Sequence, residues 1–498
     1  MAPPVCYEQH ITVGDIDVRG ATFPGIPFVI VGEKSHAAWG FTNTGADVVD
    51  LYTYETSGDH YRYEGGWRDF ETSSREIEVA DSENREIEVK RTVHGTFLDR
   101  EVDGDERHVG VAWTGMGGTR ESEAIYEFSW TRDVEEYRAA LRKMDVPTQN
   151  ALYVDSEELF YKITGRIPIR RADGTIVRGD RVFDGSAGEA EWEGFEAFGQ
   201  SSWEGFVPFE ETPGVVDPAY IGTANQRPTD NPTYPIVQEY ASGFRSKRIY
   251  ERLDERTENG QPVDREFMQS LQRDTLDIRA RMLVPALLDI RDQLSNAANR
   301  WLDAMADWNY RMNRDSQAAL AFDRFYEAFR EATWSDDFEA LGLDEGWWPQ
   351  EWVLCTLPPD DHFFDGDRAA VLAGAMDRAT ARLNREDLAV YGDHNRTTID
   401  HQFGGQVSAL NYPRYPTNGT AYTVFNVHDS AGAGSSWRQV SPMNGDSVSV
   451  IPGGQSGSYF SAHYHDQLEL WANGEYKPMS FVTPDSGDTL TFQEGSNE

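Results

Sequence analysis

The chain is 498 residues long, with 39% hydrophobic and 12% aromatic residues, which is enough for a large buried core in about two to four domains or one elaborated fold. Its formal charge is -40, and only six of its 45 basic residues are lysine, so its surface repels nucleic acid and anionic lipid. Acidic residues run through every segment, a composition expected of a surface that holds water and cations in salt-loaded, halophilic cells. No stretch of about 18 apolar residues is present to span a membrane, and the start MAPPVCYEQH has neither the charged nor the apolar region of a signal peptide. Cys6 and Cys355, the two cysteines, encode no disulfide framework and no cysteine-based zinc site.

Residues 1 to about 60 read as short strands, EQHITVGDIDVRG and PFVIVG, punctuated by Gly and Pro. Residues 75–99 give two alternating runs around a polar turn, which predicts a hairpin inside a β-rich region reaching about residue 115. Residues 120–143 read as helical, and NALYVDSEELFYKITGRIPIRR (150–171) returns to strands. From 250 to 390 the pattern changes. Phe267, Leu271, Ile278, Met282, Ile290 and Leu294 recur at helical spacing, with Asp264 as N-cap and a kink expected at Pro285. AANRWLDAMADWNYRM and AALAFDRFYEAFREA continue the helices, and after residue 400 YTVFNV and SVSVIP read as strands. A helical insert therefore divides a largely β framework.

Few segments carry chemistry by themselves. PPDDHFFDGD (358–367) reads as an acidic surface loop, and His463 and His465 in HYHDQ share one face of any strand without an evident third ligand. No P-loop, dinucleotide-binding glycine motif, G-x-S-x-G elbow or H-E-x-x-H is present. Asp47 and Asp50, in AAWGFTNTGADVVDLY, are hard oxygen donors close in sequence, a set that suits Ca²⁺. Asn225, in TANQRPTDNP, either caps a turn or donates its amide to a developing oxyanion.

The pieces GATFPGIPFVIVG and AAWGFTNTGADVVDLY, NALYVDSEELFYKITGRIPIR, WEGFVPFEETP, TANQRP, GFRSKRI and PGGQSGSYFSAHYHDQLELW resemble, in that order, the β-subunit of penicillin acylases. The resemblance implies an α+β fold, the four-layer αββα sandwich of N-terminal nucleophile (Ntn) hydrolases. It divides the chain into core segments 1–50, 118–249 and 391–498, a β-rich insertion at 51–117 and a helical insertion at 250–390. It implies hydrolysis of an N-acylated small-molecule substrate through an acyl-enzyme on an N-terminal serine, whose own α-amine is the base. It also implies a connection to antibiotic biosynthesis.

By position, Asn43 falls where the family offers a backbone N–H to the oxyanion, Asn225 where a side chain supplies the second donor, and Arg245 where an arginine shapes the site. Asp47, Val49 (through its carbonyl) and Asp50 fall on structural calcium ligands. A further family ligand is a glutamate of the α-subunit, and the aspartate expected after the Asn225 loop has no clear equivalent near Tyr234. Family β-subunits open with Ser-Asn-x-Trp well before the strand matching Tyr7-Glu8-x-His10. The nucleophile, the first core strand and the α-subunit are therefore expected outside this chain, and Cys6 lies too far along to replace the serine. The alternative is a non-catalytic scaffold that lost the nucleophile. With the first core strand gone, an open sheet edge is expected to make the isolated chain unstable. Phenylacetyl, long-chain acyl (acyl-homoserine lactones included) and glutaryl groups all stay open as the acyl part. Location stays open as well, with export outside the cell favoured by the resemblance.

Overall fold

The computed structural model describes residues 2–102, 105–196, 200–201, 205–230, 233–236, 239–429, 434–443, 445–482, 487 and 489–491. The chain begins with four antiparallel strands, β1 (Tyr7–Val13), β2 (Ile16–Thr22), β3 (Val31–Lys34) and β4 (Ala37–Asn43). It then builds β5 (Val49–Thr53), β6 (Thr56–Ser57), β7 (His60–Tyr63), β8 (Gly66–Asp69), β9 (Glu71–Ile77), β10 (Arg85–Thr92), β11 (Gly95–Val102) and β12 (Asp105–Trp113). Two helices follow, α1 (Glu121–Phe128) and α2 (Val134–Leu141), and then β13 (Gln149–Asp155) and β14 (Leu159–Ile163). Shorter strands come next: β15 (Arg170–Ala172), β16 (Thr175–Val177), β17 (Phe183–Asp184), β18 (Phe195–Glu196), β19 (Gln200–Ser201) and β20 (Gly214–Val216).

The first and third of these groups interleave. The main sheet has the order β1-β2-β3-β4-β13-β14-β20, so β13 returns across the β5–β12 excursion to pair with β4. Period-two alternation gives this sheet two different faces. Ile16, Val18, Ala37, Trp39, Ala151 and Tyr153 are buried against Phe128 of α1 and Tyr137 of α2. On the other face Arg19 pairs with Glu33 at 2.6 Å, and Glu33 accepts from Ser447 Oγ at 2.8 Å. The excursion folds into a second sheet of order β17-β5-β12-β11-β10-β9, with an aromatic core that includes Tyr52, Tyr61, Phe97 and Phe183.

The helical region consists of α3 (Phe244–Glu258), α4 (Arg265–Gln272), α5 (Ile278–Asp289), α6 (Asn296–Ala306), α7 (Gln317–Ala340), α8 (Glu351–Thr356), α9 (Arg368–Glu386) and α10 (Tyr391–His394). Its core gathers around α7, where Phe322, Phe325, Phe329 and Trp334 are fully buried. The C-terminal part contributes β21 (Arg438–Val440), β22 (Val448–Val450), α11 (Leu468–Asn473) and β23 (Lys477–Pro478), and the three strands form a small sheet. Ile451, next to β22, packs with Cys6 and Ala21 on the face of the main sheet away from α1 and α2. Gln272 of α4 in turn donates to the Gln439 carbonyl of β21 at 3.0 Å.

Several expectations change on contact with the structure. The run from Phe267 to Leu294 is not one helix. It breaks at residues 273–277, where the fully buried Asp274 accepts from Arg248 at 2.8 Å, Arg252 at 2.6 Å and Arg311 at 3.2 Å, while Asp277 caps α5. Backbone groups at the break pair with residues 310–312 in place of a helix ladder, Asp277 N donating to the Tyr310 carbonyl at 2.8 Å and Met312 N to the Thr275 carbonyl at 2.9 Å. Pro285 lies within a helix as the pattern requires, and α5 continues past it to Asp289. YTVFNV is a series of turns rather than a strand, because the Thr423 hydroxyl takes up local backbone groups, accepting from Thr420 N at 2.8 Å and donating to the Phe425 carbonyl at 2.7 Å. The β9–β10 hairpin forms as expected, yet Ile77 and Ile87 on it are 46% and 43% exposed, so its alternation does not mark a buried face.

Two stability predictions follow from the helical region. Asp264 caps α4 by accepting from Phe267 N at 2.8 Å, so Asp264→Ala lowers the unfolding free energy in urea by about 1 kcal/mol. Trp334, packed edge-on to Phe363 at 4.6 Å, leaves a core void when cut back, and Trp334→Ala lowers it by about 3–5 kcal/mol in the same titration. An unchanged midpoint for the tryptophan variant would place the core elsewhere.

Candidate active site

The site is built where β4 ends. In the antiparallel ladder Asn43 lies opposite Gln149, and Gln149 accepts from Thr164 N at 2.9 Å, so its backbone groups face β14. Backbone groups of a strand residue point to one side together, so the Asn43 N–H and C=O both face away from β13. On that side β3 has already ended its pairing with β4 at Trp39. Main-chain polar groups of Asn43 are therefore presented outward, beyond the paired part of the strand. Side chains of β13 fix this end in place: Gln149 Nε2 donates to Asn43 Oδ1 at 2.9 Å, and Asn150 Nδ2 donates to the Asn43 carbonyl at 3.2 Å.

Asn225 reaches the same point from a loop. Its φ of 62° lies in the left-handed region, which asparagine tolerates better than most residues, and its carbonyl accepts from Ala241 N at 2.8 Å. Its Nδ2 donates to the Asn43 carbonyl at 3.0 Å. Arg245, in the first turn of α3, donates from Nη2 to Asn225 Oδ1 at 3.1 Å, and burial draws its guanidinium below the ordinary arginine value. Asn43, Asn225 and Arg245 thus form one continuous hydrogen-bonded row. The cation end of that row polarises the Asn225 amide and strengthens its Nδ2 as a donor.

Asp47, Val49 and Asp50 lie on the turn from β4 to β5. Asp47 N donates to the Ile236 carbonyl at 2.9 Å, and Val49 is the first residue of β5. Both carboxylates turn Oδ2 toward Arg170: Nη1 lies 3.0 Å from Asp47 and Nε 2.7 Å from Asp50. Trp192 Nε1 also donates to Asp50 Oδ2, at 2.6 Å. Buried Asp50 Oδ1 has no hydrogen-bond partner, which is a donor of the right kind for a hard cation. Two carboxylates already shared with a guanidinium do not supply the six to eight oxygens that Ca²⁺ takes, and no cluster of three acidic, His or Cys side chains suited to a metal occurs among the described residues. By themselves, Asp47, Val49 and Asp50 do not complete a calcium site among the described residues.

The sequence reading missed Arg170, Trp192 and Gln149. A signal for the first was present: arginine within the apolar stretch GRIPIRR, whose Ile167 and Ile169 are buried. The acidic run 358–367 and the pair His463 and His465 are not part of the site; His463 instead pairs with Asp466 at 2.7 Å. In the WEGFVPFEETP segment, residues 203–204 lie outside the described residues.

Comparison with known proteins is consistent along the whole chain. A penicillin acylase 2 proenzyme from Pseudomonas sp. (strain SE83) is 25% identical over 96% of this chain and 63% of its own length. An acyl-homoserine lactone acylase QuiP of Pseudomonas putida is 24% identical over 94% of this chain and 61% of its own, and penicillin G acylase of Escherichia coli 22% identical over 97% and 61%. The chain thus spans about three fifths of the length of these curated relatives. Among solved structures, a thermostable penicillin G acylase from Alcaligenes faecalis superposes with a TM-score of 0.70 at 20% identity, covering 99% of this chain and 95% of that one, which shows a shared fold. The penicillin amidase family model matches residues 1–486, and the chain belongs to that family.

Proposed function

We propose that this chain is the larger part of an N-acyl amide hydrolase that acts through an acyl-enzyme, its N-terminal serine and α-subunit being supplied by segments outside residues 1–498. The observation that carries this reading is the row Arg245–Asn225–Asn43, which sets a side-chain amide beside an outward-facing main-chain N–H. Two convergent N–H donors are what a tetrahedral oxyanion requires, at about 2.7–3.1 Å from the position the oxygen will occupy. The serine hydroxyl gives its proton to the α-amine and its oxygen bonds to the acyl carbon, whose carbonyl becomes the oxyanion between Asn43 N–H and Asn225 Nδ2. Collapse expels the amine, which leaves with that proton, and water then releases the acid. Arg245 keeps the Asn225 amide oriented throughout.

The same reading supports a reduced four-layer αββα sandwich. α1 and α2 form one outer layer, followed by the main sheet, the small β21–β22–β23 sheet and α4. Calcium at Asp47, Val49 and Asp50 would need further oxygen donors from the missing segments. The acidic surface supports work in concentrated salt.

Two outcomes test the proposal. With the serine-bearing segment supplied, release of amine from phenylacetyl, long-chain acyl and glutaryl amides should be measurable for one class. Asn225→Gly, which keeps a residue suited to the positive φ, should then lower kcat by about 10²–10³. An unchanged kcat would remove Asn225 from the reaction. For the surface, the thermal midpoint of the chain should rise as KCl approaches about 1 M, where screening shortens to roughly 3 Å; a fall would contradict a salt-adapted surface.

A further inference from the structure

Arg170 takes no part in the chemistry described above, yet it is among the largest fully buried side chains of the protein. Three separate segments converge on it. Its own strand, β15, pairs with β16, and an isolated bridge joins Arg170 to Trp192 on the other side. Besides the two carboxylates, its Nη2 donates to the main-chain carbonyl of Asp47 at 3.0 Å. Gly179 N donates to Asp47 Oδ2 at 3.1 Å, and a Cβ at that glycine would lie 2.3 Å from the same oxygen and 2.6 Å from Arg170 Cζ. The backbone at 179 is therefore pressed against the ion pair, where only glycine fits.

We propose that Arg170 is a positioning residue for the Asn43 turn: an internal cation that holds residues 44–50 in place through Asp47, Asp50 and the Asp47 carbonyl. Its planar fork directs Nε to Asp50 and Nη2 to the Asp47 carbonyl while Nη1 stays within ion-pair range of the Asp47 carboxylate, a combination that a point charge on lysine cannot reproduce. Without it, two buried carboxylates three residues apart would face one another uncompensated. The turn connects Asn43 to this anchor by a few residues of main chain, so loosening the anchor frees the oxyanion donor. The catalytic meaning of the brace rests on the proposed role of Asn43, but the brace itself can be measured without any reaction.

The test is hydrogen–deuterium exchange by mass spectrometry on the full chain, comparing wild type in excess EGTA, wild type in excess calcium, Arg170→Lys and Arg170→Ala. Wild-type exchange over residues 43–50 should be the same in EGTA and in calcium. Arg170→Ala should speed it on the order of a hundredfold, as expected for local opening after loss of a buried charge partner. Residues 317–340 of α7 should be unaffected. Arg170→Lys should recover only part of the protection, and millimolar guanidinium added to Arg170→Ala should slow exchange in the turn again, a rescue that a general loss of packing would not show. Unchanged exchange in Arg170→Ala overturns the proposal. So does a wild-type turn that opens in EGTA and closes in calcium, and if Arg170→Ala does not fold, exchange at the wild-type rate over residues 43–50 in Arg170→Lys overturns it as well. An inactive completed enzyme whose turn stays protected in wild type and opens in Arg170→Ala would sink the proposed function and leave the brace standing.

Discussion

Everything at the candidate site depends on the antiparallel register that places Asn43 opposite Gln149. Main-chain groups in such a ladder face alternately toward and away from the partner strand. A slip of one residue would turn the Asn43 N–H into the sheet and move every apolar side chain of β4 to the wrong face. Trp39, Phe41, Tyr153 and Ala151 lock that register by packing against α1 and α2. The hydrophobic core of the main sheet thus fixes the direction in which a polar main-chain group points, a direction no side chain at position 43 could set by itself.

A second theme is arginine held inside a strongly acidic protein. Arg19 meets Glu33, Arg170 meets Asp47 and Asp50, Arg279 meets Asp277, and Asp274 gathers three guanidinium groups. Arg279 also lies over the Tyr422 ring at 3.7 Å and the Tyr326 ring at 4.2 Å. Planar, weakly hydrated guanidinium suits such sites better than ammonium, which accords with a basic complement that is almost wholly arginine. Some of these pairs are local, as Arg279 with Asp277, whereas Arg170 reaches back across the chain to the turn of Asp47.

How much of this could be read beforehand varies with the range of the interaction. Local signals served well: Asp264 as a cap, the 75–99 hairpin and the strand in SVSVIP all rest on neighbours a few residues away. Asn43, Asn225 and Arg245 came from ordered motifs, and the structure adds the hydrogen bonds that place them in one row. Less was legible where distant segments compete with local preference. At the break at 273–277 the backbone pairs with residues 310–312, and the turns at 422–427 are set by hydroxyls that outcompete a ladder. Asp47 and Asp50 were recognisable as hard donors, but the guanidinium between them comes from a strand more than a hundred residues later.

The hydrogen bond from Asn225 Nδ2 to the Asn43 carbonyl gives the site a resting partner of its own. An asparagine amide nitrogen carries two N–H groups, so this bond occupies one of them and leaves the other available. With its nitrogen tied to the Asn43 carbonyl and its oxygen to Arg245, the amide plane is set by the protein alone, and the second N–H has its direction before any acceptor arrives.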